Sequence, residues 1–166
     1  METLDHHNQI HNDIKPQNYL VKFSNGKNGK NHEKNEAEND LSCIEIVLTD
    51  FGLAGSNLQG GTPIFASPEC LADGKRKDKS TDIFSLGRVF LFMILPKEQF
   101  LEFLFVPVVK KAGQKKITEL IEKEPILSLI SNMMRIKKRL DLQGIRNDLQ
   151  SVEQLMNSRI VETQAI

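Results

Sequence analysis

The stretch Val89-Phe90-Leu91-Phe92-Met93-Ile94-Leu95 is apolar on every side of any helix it forms, and this constrains the fold more than any other feature. Such a helix has to be enclosed, by other elements of a larger fold or by lipid. Pro96-Lys97-Glu98 interrupts the run, and a second one, Phe100 to Val109, contains Glu102. Neither reaches the roughly 18 residues that a membrane span requires. The expectation is a fully buried core helix, opened by capping oxygens and first-turn negative charge from Ser80-Thr81-Asp82 and ending near Leu95.

The rest of the chain is long enough to enclose it. With 166 residues, 39% of them apolar, the length suits one domain with an ordinary core and excludes a wholly disordered protein. Lys and Arg number 22 and are balanced by 22 Asp and Glu, so there is no electrostatic case for nucleic acid. Cys43 and Cys70 are far apart without metal-ligand spacing, which indicates neither a disulfide scaffold nor a structural zinc site. The opening residues, Met1 to His7, are polar and lack the apolar core of a signal peptide. A cytoplasmic setting is expected, with the nucleus left open, and no membrane partner.

Along the chain, a loop from Ile10 leads into the short β-prone segment Tyr19-Leu20-Val21-Lys22-Phe23. Residues 24–40 are dominated by Asn, Lys, Glu and Gly and offer no apolar face, so they read as a solvated, disordered-type insert. Cys43 to Leu48 resumes a strand pattern, and the two strands with the insert read as a hairpin with an overlong tip. A small-residue loop then runs from Leu53 to Pro63. Ser67 is the expected N-cap of a helix with Pro68 at its first position. A basic loop, Gly74 to Lys79, precedes the apolar helix. Three amphipathic helices are expected beyond it, over Lys115 to Glu124, Pro125 to Met134 and Ile145 to Met156. The fold class is mainly α with a small β-hairpin.

The string His11-Asn12-Asp13-Ile14-Lys15-Pro16-Gln17-Asn18, followed by a strand, resembles the catalytic loop of the eukaryotic protein kinases. Four further matches follow in the order of that family. Asp50-Phe51-Gly52 stands after an apolar strand, and Gly61-Thr62-Pro63 with Ser67-Pro68-Glu69 resembles the end of an activation segment. Asp82-Ile83-Phe84-Ser85-Leu86-Gly87 resembles the opening of the family's central helix, and Arg139 stands where the family pairs an Arg with the Glu that is here Glu69.

The resemblance implies a partial kinase domain over residues 1–158: catalytic loop 11–18, insert 24–40, activation segment 50–69, helical remainder 80–158, with 159–166 as a tail. It further implies ATP and Mg²⁺ as cofactors and phosphoryl transfer to Ser/Thr hydroxyls of a protein substrate. Phosphoryl transfer places cations around the phosphates and an acceptor beside the attacking hydroxyl. Asp13 would orient that hydroxyl and accept its proton, and Lys15 would reach the transferring phosphate as a mobile charge. Asn18 and Asp50 are hard oxygen donors suited to Mg²⁺, and with Lys15 they form the nucleotide-binding set. His11 is expected as a hydrogen-bonding scaffold, Asp82 as a loop-pinning carboxylate, and Glu69 with Arg139 as a partly buried ion pair.

Two departures from the family pattern bear on activity. Asn12 stands where kinases controlled by activation-loop phosphorylation carry an Arg, and Ser56 is the sole hydroxyl between Gly52 and Gly61. Control by phosphorylation of this segment is therefore not expected. The other departure is that no Gly-rich strand pair, strand Lys or helix Glu precedes His11 in the sequence. The expectation is the helical large, C-terminal lobe of the kinase-like fold, truncated and inactive alone. Leaving four or five large apolar residues of the central helix uncovered would forfeit roughly 6–15 kcal/mol. The alternative reading is a truncated pseudokinase that serves as a binding or decoy module, associating through the apolar surface so exposed.

Overall fold

The computed structural model describes residues 9–23, 44–55, 61–71, 78–104, 125–135 and 138–164. The insert at 24–40, Cys43, Ser56 and the helix expected over Lys115 to Glu124 lie outside the described residues. A 3₁₀ turn at Pro16–Asn18 leads into strand β1, Tyr19–Phe23. It pairs antiparallel with β2, Ile44–Leu48, in a register that sets Tyr19 opposite Leu48 and Val21 opposite Ile46. Five helices follow among the described residues: α1 Pro68–Leu71, α2 Lys79–Ile94, α3 Lys97–Leu104, α4 Pro125–Met133 and α5 Leu142–Gln164. The described fold is thus mainly helical with one two-stranded sheet.

Helix α2 is the axis of the packing, with α4 and α3 against it and α5 against α4. One apolar cluster joins Ile14 of the loop before β1 to Phe65, Val89, Leu91, Phe100, Leu127 and Ile130. A second joins Ile83 to Leu129, Met133 and Ile145. Both use α2, so the helix ties the loop at Ile14 to the C-terminal helices.

The expectation that this apolar helix is fully buried is corrected at its last turn, where Phe92, Met93 and Ile94 are exposed, Met93 at 72%. Length is the reason. Sixteen residues of α2 span about 24 Å, whereas the nine of α4 span about 14 Å, so α2 outruns its partner. No helix among the described residues is long and apolar enough to cross a membrane.

Helix α1 begins at Pro68 behind Ser67, as expected, whereas α2 and α5 differ in their boundaries. The cap of α2 is Asp78, whose extended backbone lets its carboxylate accept from Ser80 N at 2.8 Å, while Thr81 Oγ1 donates to Asp78 O. Among the described residues, Ser67 caps α1 through its carbonyl, which accepts from Cys70 N, while its buried hydroxyl has no partner. Helix α5 begins three residues before Ile145, because Asp141 Oδ1 accepts from Gly144 N at 2.7 Å, and it continues to Gln164, through most of the residues set apart as a tail.

Candidate active site

Two non-glycine residues hold left-handed backbone near the loop that precedes β1: Asn12 at φ 68° and Asp50 at φ 62°. Asn and Asp tolerate that region better than other side chains because their short polar groups bond locally. At Asn12 long-range bonds fix the conformation. The Asp82 carboxylate, buried in the first turn of α2, accepts from His11 N at 2.6 Å and from Asn12 N at 3.0 Å. Asn12 Nδ2 donates to Leu53 O at 2.9 Å, tying the loop to the residue after Asp50-Phe51-Gly52.

His11 is fully buried, and its tautomer follows from its neighbours. Asp13 N donates to Nδ1 at 3.3 Å, so Nε2 carries the proton and donates to Thr49 O at 3.0 Å, one residue before Asp50. The imidazole also lies 4.9 Å from the Phe51 ring, centroid to centroid. Through these contacts the segments 11–18 and 49–53 are held as one unit.

Asp13 sits at the centre of this unit. Its Oδ2 accepts from Lys15 Nζ at 2.5 Å, and its Oδ1 accepts from both Thr62 N and Thr62 Oγ1, at 2.9 and 3.0 Å. Burial pushes the carboxyl up, but the Lys15 hydrogen bond and charge, with the two bonds from Thr62, outweigh it and hold the group below the usual carboxylate value. Asp13 is therefore ionised at neutral pH.

Asn18 is buried, and its Nδ2 donates to Asp13 O at 2.8 Å, with Asp13 Oδ2 at 3.4 Å. Because the nitrogen makes these bonds, the hard oxygen donor Oδ1 is not spent on Asp13. Asp50 is exposed, and among the described residues its carboxylate meets only Gly52 N, at 3.4 Å. One amide oxygen and one little-used carboxylate fit Mg²⁺, which takes one or two protein ligands and keeps its waters. Among the described residues no group of three or more His, Cys, Asp or Glu side chains converges into a closed cage.

The sequence-predicted residues fall into two places. His11, Asp13, Lys15, Asn18 and Asp82 share one hydrogen-bonded unit, with Asp50 joined to it through Thr49. Glu69 and Arg139 lie apart, where Arg139 Nη1 meets Glu69 Oε1 at 2.7 Å and also donates to Ser80 O at the start of α2. Sequence reasoning missed the bond from Thr62 to Asp13. Its signal was Gly61, which adopts φ 98° and whose missing Cβ would stand 2.6 Å from Asn12 O, so only glycine lets the Thr62 loop reach the carboxylate.

Tyr19, at the start of β1, is a half-buried residue with a buried hydroxyl that this network leaves out. Among the described residues its hydroxyl has no hydrogen-bond partner, and burial together with the Asp82 charge pushes the phenol up to about 12.

Comparison with known proteins places this geometry in a family. The chain is 31% identical over 102 residues to the DNA damage response protein kinase DUN1 of Saccharomyces cerevisiae, a match covering 57% of this chain and 20% of that protein. It is 32% identical over 95 residues to a protein of Acanthamoeba polyphaga mimivirus named as a serine/threonine-protein kinase, covering 52% of this chain and 20% of the relative. A protein of Dictyostelium discoideum named in the same way is 34% identical over 99 residues, covering 54% and 12%. The chain thus spans a fifth or less of the length of these relatives. The protein kinase domain family matches residues 1–158, and the chain belongs to that family.

Proposed function

We propose that this chain carries the catalytic loop of a protein serine/threonine kinase, which transfers the terminal phosphoryl group of ATP to hydroxyls of a protein substrate. The observation that carries the reading is the constellation on residues 13–18, where ionised Asp13, Lys15 and Asn18 bond to one another beside Thr62. On this reading the described residues are part of the large, C-terminal lobe of the kinase fold, which the mainly helical fold and the family match over residues 1–158 support.

The protein kinase family uses ATP with Mg²⁺, and Asn18 Oδ1 and the Asp50 carboxylate are the groups that would hold the metal here. When bound, Mg²⁺ offsets the phosphate charge. Asp13, held below the usual carboxylate range, is a weak base. It accepts a hydrogen bond from the substrate hydroxyl and aims its oxygen, and it takes the proton only as the new bond nears completion. Lys15, now on Asp13 Oδ2, can leave that oxygen and bring its charge to the phosphoryl group while the substrate hydroxyl replaces it. Asn18 keeps the loop closed by holding Asp13 O.

The test is phosphoryl transfer by the full-length natural protein and its Asp13→Asn variant. The variant is expected to lose about 10²–10⁴ in kcat while retaining its melting temperature near neutral pH within a few degrees. Equal turnover by the two proteins would refute the assignment.

A second reading is a non-catalytic binding module. It is favoured by the exposure of Val21, Phe23 and Ile46 on one face of the hairpin, with Phe51 half-exposed nearby. Mg-ATP decides between them. A rise in melting temperature that Asp50→Asn abolishes favours the kinase, and the absence of any rise favours the module.

A further inference from the structure

Arg88 is the single charged residue between Ile83 and Pro96, inside the most apolar part of the chain. Its neighbours Gly87 and Val89 are buried, and burial lowers its own pKa, although a guanidinium stays charged at any physiological pH. A cation placed in such a helix needs partners that satisfy it. Among the described residues it finds them in one place. Arg88 Nη1 donates to Ile64 O at 2.8 Å and lies 3.3 Å from Ala66 O and 3.4 Å from Pro63 O, while the guanidinium sits 4.8 Å over the Phe84 ring.

The loop it grips is the one that reaches the active site. Thr62 is fastened to Asp13 by two bonds, and Thr62 O accepts from Phe65 N and Ala66 N at 2.9 and 3.0 Å, closing a tight turn. Phe65 and Ala66 are buried, whereas Pro63 and Ile64 are exposed immediately after Thr62. Pro63 and Ile64 are thus the exposed residues next in the chain to Thr62, which is bonded to Asp13 Oδ1. Asp13 fixes one end of the turn, and Arg88 holds the carbonyls of the rest.

We propose that Arg88 is a positioning residue that sets the conformation of the Pro63–Ala66 turn and thereby the seat of the protein substrate next to Asp13. The consequence for the substrate rests on the kinase reading given above, whereas the hold on the turn does not. Arg88 touches none of Asp13, Lys15, Asn18 or Asp50 in the described contacts, so its removal should disturb docking of the polypeptide and spare the nucleotide.

The experiment uses the full-length natural protein with Arg88→Met, which keeps the apolar stem, and Arg88→Lys, which keeps a charged donor. Amide hydrogen exchange, resolved by residue, is expected to quicken by about tenfold or more at Thr62, Phe65 and Ala66 in Arg88→Met. Exchange in α4 should be unchanged, and Arg88→Lys should recover part of the protection. Unchanged exchange at the three amides overturns the proposal, as does an equal acceleration in α4, which would make Arg88 merely part of the core. In a peptide-kinase assay, Arg88→Met is expected to raise the peptide KM about tenfold with the ATP KM unmoved. An unchanged peptide KM overturns the docking role. A wild-type protein that transfers nothing to any peptide would instead sink the kinase reading, and the exchange measurement would still decide whether Arg88 holds the turn.

Discussion

Asp13 has two oxygens and four donor bonds aimed at them, and the balance among these sets its charge. Burial alone would favour the neutral acid, yet Lys15 and Thr62 hold the group below its usual value. The folded carboxyl therefore binds a proton less readily than the unfolded one, whose pKa is near 3.8. As pH falls the unfolded chain takes up the proton first, so the stability contributed by ionised Asp13 is fully present above about pH 4 and is lost as pH drops through the lower folded value. The melting-temperature difference between the wild type and Asp13→Asn should be constant from about pH 5 to 8 and shrink below about pH 4. A difference that grows on acidification would contradict this. At this scale the sequence was readable where contacts are local. Asp13, Lys15 and Asn18 lie within five positions of one another, so their meeting followed from one loop. Thr62 is 49 positions from Asp13, and Ile64 is 24 from Arg88, separations at which no spacing rule operates.

Elements were legible to the extent that their signals are chemical and not geometric. The pairing of Tyr19–Phe23 with a strand ending at Leu48 follows from two β-prone runs flanking a polar insert, and Pro125 opens α4 where a proline belongs. The cap of α2 was misplaced because Ser80, Thr81 and Asp78 are all good caps, and only the extended backbone at Asp78 selects among them. The close approach of α2 to α4 left no trace except a glycine. A Cβ at Gly87 would stand 3.0 Å from Met134 Cγ and 3.1 Å from Met133 Cβ. Gly87→Ala gains about 1 kcal/mol of helix propensity, but the crowding forces the helices apart. A net loss of about 1–2 kcal/mol is expected in urea unfolding. A raised urea midpoint would mean that the methionine side chains yield without cost.

Over the whole molecule, the pair Glu69–Arg139 joins regions that no local interaction connects. Arg139 is 70 positions from Glu69 and 59 from Ser80, and it binds α1 and the start of α2 to the segment before α5. Its side chain is 4% exposed, and among the described residues Glu69 Oε2 and Arg139 Nη2 have no partners, so the pair meets through one oxygen and one nitrogen. Arg139→Met strands a carboxylate and is expected to cost about 3–5 kcal/mol by calorimetry, whereas Glu69→Met with Arg139→Met should recover much of it. A double variant as unstable as the single one would show that the arginine acts through Ser80 and not through the carboxylate. The family pattern made this pair legible in the sequence; that Ser80 shares the arginine was not, because a main-chain carbonyl leaves no residue signature.

Both guanidiniums, of Arg88 and of Arg139, lie over the same Phe84 ring, at 4.8 and 5.0 Å from its centroid. Phe84 is buried, so the electron-rich surface the two cations share is shielded from dissolved ions. Raising the ionic strength will therefore loosen the exposed Lys22–Glu45 pair on the hairpin well before it loosens either arginine. The grip on the turn beside Asp13 ends on neutral carbonyls, so it contains no ion pair for salt to screen.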